Sequence, residues 1–341
     1  GSEKITITGD GAVTARSNIE TYELGDDTTN ARTMTLGSAA LNLIANNAGD
    51  TITVNATALA QNTALTITAA SVSALVVNSL KGDMVATQLS GSLAITTADA
   101  ADNGISITTG SAATSVDVAA GSVTDTVSID ATALANNKAL TITSGSGVAG
   151  AVSITGLTGN LVVSSPTGGT VNVAVTDNTV DHGIAITAGA ANLAITGVAD
   201  GDTVTVTGFT GSTLTGAIAG TTGKFNITAG TGNSNITTGA GDDTFSFAAG
   251  VLTSADIVDG STGTDTVELT GTTAVTATHF NNVKNIEVIT LPDMTNTAVT
   301  ITTQEPLVAA GATLTLSNAA NLGILIFNGT LETDGGKFSI T

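Results

Sequence analysis

Apolar and polar residues alternate in short runs along almost the whole chain. KITIT (4–8), TITV (51–54), LTIT (65–68), LAIT (93–96), ISIT (105–108), TVSI (126–129), LTIT (140–143), VSIT (152–155), VNVAV (171–175), IAIT (184–187), LAIT (193–196) and TVTVT (203–207) all keep a period of two. That period places alternate side chains on opposite faces of a strand. Gly, Asn, Asp and Ser bound the runs, and these residues turn a chain. Only Pro166, Pro292 and Pro306 interrupt it as prolines. Helical signal is confined to ATALAQN (56–62) and ATALANN (131–137), each long enough for one helical turn.

The pattern repeats. DTITVNATALAQNTALTIT (50–68) and DTVSIDATALANNKALTIT (125–143) agree at 13 of 19 positions, at an offset of 125 − 50 = 75. GDTVTVTG (201–208) starts the unit again, and DNGISIT (102–108) echoes DHGIAIT (181–187). Units that recur in this way bury their apolar face by stacking on neighbours. Three segments follow: 1–49 as an N-terminal cap or leader, carrying Arg16, Arg32 and Tyr22; 50–220 as the repeat array; and 221–341 as a terminal module, denser in Gly and Asp at its start. The expected fold is all-β, a β-solenoid resembling a parallel β-helix, with β-roll-like turns near 230–270. Tandem β-sandwich domains are the alternative, since units of this length suit them.

Composition narrows the chemistry. Among 341 residues there are 66 Thr, 40 Gly, one Tyr, no Trp and no Cys. Disulfides and thiolate metal sites are excluded. Eight Lys+Arg against 28 Asp+Glu give a net charge of −20, which leaves nucleic acid without a cationic footprint to bind. No apolar run reaches the roughly 20 residues a membrane-spanning helix needs. Neither His182 nor His279 stands near a nucleophile motif, and GxSxG and HExxH are both missing, so no enzyme activity is expected. His182 and His279 read as turn or loop residues, as do Asp10, Asp26 and Asp27. Phe245, Phe247, Phe280 and Phe327 read as core. The chain opens Gly1-Ser2 without Met, which suggests an excerpt of a longer protein.

The most informative stretch is GTGNSNITTGAGDDTFSF (230–247). Two nine-residue frames, 229–237 and 238–246, place Gly230 and Gly232, then Gly239 and Gly241, at positions two and four. Ile236 and Phe245 fall at position eight, and Asp243 follows Asp242 at position six of the second frame. This is the GGxGxDxUx spacing of a calcium-binding roll, with Thr238 in place of the first Gly and Ser234 in place of an Asp. Gly permits the bend, and a carboxylate supplies hard oxygen beside it. A half-site recurs at IVDGSTGTDTVEL (257–269), with Asp259, Gly260, Gly263 and Asp265. The same residues also suit plain Gly/Asp turns without an ion, and at this level both readings stand.

From GAGDDTFSF through STGTDTVELTG (261–271) to HFNNVKNIEVITL (279–291), the chain resembles the RTX-related modules of bacterial surface-layer proteins. The resemblance implies an extracellular structural protein, type I secreted, that assembles laterally with copies of itself on the cell surface. Ca²⁺ would be held at Gly239, Gly241 and Asp243 and at Asp265, and anchoring would fall to a surface polysaccharide or lipopolysaccharide. Glu287, in NIEVI, receives no chemical role from this reading. An adhesin segment of a large secreted protein is the alternative. Ice binding needs an even Thr array, and the I-T steps here are uneven. A polysaccharide-cleaving cleft needs the aromatics this chain lacks.

Overall fold

The computed structural model describes residues 3–9, 11–25, 31–68, 71–98, 104–118, 126–144, 151–164, 169–176, 183–216, 223–248, 250–271, 275–291, 298–318 and 324–341. Asp10, Asp26, Asp27 and His182 lie outside them. The chain divides into two compact units, 1–176 and 177–341. Among the described residues every regular element is a strand. Strand pairing is parallel throughout the described ladders, which makes the fold a β-solenoid and excludes the antiparallel sandwich.

In the first unit the chain lays strands alternately into two sheets, so each strand pairs with the next but one. Lys4–Ile7 pairs with Thr21–Leu24, and Ala31–Thr35 pairs with Thr51–Asn55. In-register stacking turns the two-residue period into continuous apolar columns. One column runs Met34, Val54, Val77, Ile95, Val116, Ile142, Val163, all buried. Each such side chain contributes roughly 1.5–3 kcal/mol of burial. β-Branched residues suit these positions because a parallel strand covered on one face must pack tightly against like neighbours.

The two copies of the sequence repeat fall on opposite sheets. Thr51–Asn55 belongs to one sheet of the first unit, and its counterpart Val127–Asp130, seven strands later, belongs to the other. An odd number of strands per unit exchanges the sheets at each repetition, so the structural unit is the half-coil. Local geometry is reproduced. Asn55 Oδ1 accepts from the Thr57 amide at 3.1 Å and its hydroxyl at 2.6 Å. Asp130 Oδ1 accepts from the Thr132 amide at 3.0 Å and its hydroxyl at 2.6 Å. These are the two segments expected to be helical. Each closes a single turn, Leu59 N to Ala56 O at 3.0 Å and Leu134 N to Ala131 O at 2.9 Å, and buries one leucine. The side-chain acceptor at the strand end and the next strand stop the turn from propagating.

In the second unit one sheet stacks Asn192–Thr196, Thr213–Thr215, Asn235–Thr237, Ile257–Asp259 and Val283–Lys284. The other stacks Gly183–Thr187, Thr203–Phe209, Lys224–Ala229, Thr244–Ala248, Thr266–Thr270, Val288–Leu291, Thr313–Asn318 and Lys337–Ile340. Ala298–Thr302 and Ile324–Asn328 form a separate pair. The apolar column here is Val206, Ile227, Phe245, Val267, Ile289, Leu316. Phe245, Phe247 and Phe280 are fully buried, while Phe327 is half-buried and packs edge-on to Phe338 at 4.8 Å.

Candidate metal centre

The acidic bends connect the two sheets of the second unit. The turn from Asn235–Thr237 into Thr244–Ala248 carries Thr238, Gly239, Gly241, Asp242 and Asp243. The turn from Ile257–Asp259 into Thr266–Thr270 carries Gly260, Gly263 and Asp265. Strand pairing superposes them. Thr237 lies beside Asp259 and Thr244 beside Thr266, a step of 22 residues. Thr238, Gly241 and Asp243 therefore stack under Gly260, Gly263 and Asp265. The half-site is the same bend one coil further on. Gly230 and Gly232 sit in the turn from Lys224–Ala229 into Asn235–Thr237, which joins the sheets in the opposite direction. The structure does not bring these two glycines to the stacked bends.

Stacking is close enough to require glycine. A Cβ on Gly263, which has φ +151°, would strike the Gly241 carbonyl. One on Gly260 would meet the Asn285 carbonyl and lie 2.6 Å from Asp265 Oδ2.

The carboxylates divide into two groups. Asp259 and Asp242 are engaged by the chain itself. Asp259 Oδ2 pairs with Lys284 Nζ at 2.8 Å, and its Oδ1 accepts from Asn285 Nδ2 at 2.7 Å and the Ser261 amide at 3.0 Å. Burial raises its pKa, but Lys284 and Asn285 outweigh that and hold it below the usual carboxylate value. Asp242 is exposed, accepts from the Thr264 amide at 2.9 Å and lies 3.6 Å from Lys224 Nζ.

Asp243 and Asp265 are different. They are 1 % and 0 % exposed. Asp243 Oδ1 accepts from the Phe225 amide at 2.8 Å, and Asp265 Oδ1 accepts from the Asp243 amide at 2.9 Å. Each carboxylate thus holds an amide at the start of the neighbouring strand in the coil before it. The second oxygen of each, Oδ2, is buried without a hydrogen-bond partner. Burial is the first cause that pushes Asp243 up to about 6, with the Asp242 charge adding and the Thr238 hydroxyl and Phe225 amide opposing. Burial also leads in pushing Asp265 up to about 8, helped by the charges of Asp243, Glu287 and Asp242. The hydroxyl at 238 becomes a bare Gly260 one coil on, which leaves Asp265 the less compensated acid.

Buried carboxyl oxygens without a donor fit a cation, because an uncompensated buried charge is costly. Among the described residues no three His, Asp or Glu gather closely enough to hold one ion. An ion here would draw on Asp243 and Asp265, with main-chain carbonyls or water completing the six to eight oxygens calcium takes.

One member of the column was not recognised from sequence. Glu287, half-buried ahead of Val288–Leu291, accepts the Asp265 amide through Oε2 at 2.9 Å. Asp243, Asp265 and Glu287 recur every 22 residues, a spacing that only the known coil length makes visible. His279 lies in a turn where its Nδ1 accepts from the Thr276 amide at 2.9 Å.

No protein-family model, no curated protein and no solved structure matches the chain. Among the described residues no helix is long and apolar enough to cross a membrane.

Proposed function

We propose that the chain is a structural, self-assembling building block of a bacterial surface layer, stiffened by calcium outside the cell. The observation that carries this reading is the pair of buried Oδ2 atoms on Asp243 and Asp265, stacked one coil apart and neither in a hydrogen bond, with the Thr238 hydroxyl a donor near the Asp243 carboxyl. The likeness of 230–291 to surface-layer modules supports it, and so does the fold. A solenoid of stacked strands lined with Val, Ile and Ala can serve a mechanical role without a catalytic cleft. A charge of −20 opposes compaction, and a bound divalent ion offsets part of it. Calcium that binds only the folded chain stabilises it by mass action. Extracellular modules need bind only at roughly 10⁻⁴–10⁻³ M, so such a site fills outside the cell. In this reading the chain is type I secreted, its partners are lateral copies of itself and a surface polysaccharide or lipopolysaccharide, and its role is mechanical.

Electron microscopy of the purified chain tests the assembly. Ordered sheets in millimolar Ca²⁺ that disperse in EDTA are expected. A chain that stays monomeric in calcium and binds glycans or cells would instead support the adhesin alternative.

A further inference from the structure

The column of acids has no cation paired with it among the described residues. Asp243, Asp265 and Glu287 lead successive strands of one sheet and are chained by amide-to-carboxylate hydrogen bonds of 2.9 Å, Asp243 N to Asp265 Oδ1 and Asp265 N to Glu287 Oε2. Of the lysines nearest in the chain, Lys284 pairs with Asp259 at 2.8 Å, and Lys224 lies 3.6 Å from Asp242 and acts on Asp243 only through its charge. Among the described residues none of the three column acids is in an ion pair. Two of them are fully buried, each with one unpartnered oxygen.

We infer that Glu287 is a positioning residue of the cation site: it fixes the Asp265 rung through the amide and adds the third negative charge that draws a divalent ion to the Asp243 and Asp265 oxygens. The inference rests on the calcium reading above. Glu287 does not touch the ion, in keeping with the absence of a three-acid cluster among the described residues. It acts through Asp265. A cation seated at Asp265 Oδ2 would be attracted by the Glu287 charge one coil on.

Calorimetric titration of CaCl₂ into the full chain at pH 7.5 tests this with three proteins: the native chain, Glu287→Gln and Glu268→Gln. Glutamine keeps an oxygen for the Asp265 amide and removes only charge. Glu268, bonded to the Ser246 hydroxyl at 2.8 Å, lies outside the column and controls for net charge. The expected result is affinity weakened on the order of tenfold by Glu287→Gln and unchanged by Glu268→Gln. Native-like binding by Glu287→Gln, or equal weakening by both, overturns the role of Glu287 and leaves the calcium reading standing. No binding by the native chain overturns both. If Glu287→Gln does not fold, the calcium affinity of Glu287→Asp serves: the charge stays but the shorter side chain loses the Asp265 amide, so a clear loss of affinity relative to Glu268→Asp supports the positioning role, and equal affinities overturn it.

Discussion

The main-chain amide of Asp243 donates to Oδ1 of Asp265 at 2.9 Å, and the Asp243 carbonyl in turn accepts from the Thr266 amide at 2.8 Å. Each acidic bend is thereby tied to the next by side chain and main chain together. The carboxylate clamps coil to coil with one oxygen and leaves the other for a proton or a cation.

These two tasks separate by mutation. Asp265→Asn keeps an acceptor for the Asp243 amide and removes a poorly compensated charge. In EDTA at pH 7.5 its stability should equal or exceed that of the native chain, while its response to Ca²⁺ disappears. Asp265→Ala leaves a buried amide unpaired and should lose about 1–3 kcal/mol. Urea unfolding of the three proteins, with and without calcium, reads both effects. Equal loss in Asn and Ala variants would refute the clamp.

The raised carboxyls fix the pH dependence of the metal-free chain. The folded state holds Asp243 near 6 and Asp265 near 8, both above the ordinary aspartate value of about 3.9 expected when unfolded. Below about pH 4 both states are protonated and the two groups contribute their full stability. As pH rises the unfolded chain ionises first, so stability falls through the folded values, over about pH 4 to 8. Melting in EDTA across this range should show the decline, and Asp265→Asn should flatten its upper part. A native midpoint that climbs steadily from pH 5 to 8 would contradict the assignment.

Equivalence of the half-coils gives a prediction far from the acids. A Cβ on Gly82 would fall on the Thr63 and Ala60 carbonyls, and one on Gly159 on the Lys138 and Ala135 carbonyls. The two glycines sit at matching points of the repeat on opposite sheets. Gly82→Ala and Gly159→Ala should each destabilise by about 1–3 kcal/mol, and by similar amounts. Urea unfolding of both variants checks this, and a tolerated substitution at one site beside a severe loss at the other would break the equivalence.

Much of the fold was legible because a solenoid is local. The strand runs TITV at 51–54 and LTIT at 140–143 lie within Thr51–Asn55 and Ala139–Ser144, and their inward residues stack in register. What sequence did not reveal was which sheet each copy joins. That depends on the parity of the strand count, and a 75-residue period leaves it unstated. The acidic site was half legible. Gly spacing marked both bends, but could not distinguish Asp259, neutralised by Lys284 from the next coil, from Asp265, which has no such partner. Glu287 escaped because it lies in no glycine motif and enters the column only through a 22-residue coil. Gly230 and Gly232 obey the same spacing yet face the other turn, since successive nine-residue frames alternate between the two edges.

Thermal melting of the native chain in EDTA and in millimolar Ca²⁺ at pH 7.5 tests the calcium claim most directly. At about tenfold excess over the dissociation constant, binding adds about 1.4 kcal/mol to the folded state, so the midpoint should rise by about two degrees in calcium. Identical midpoints in the two solutions would contradict the account.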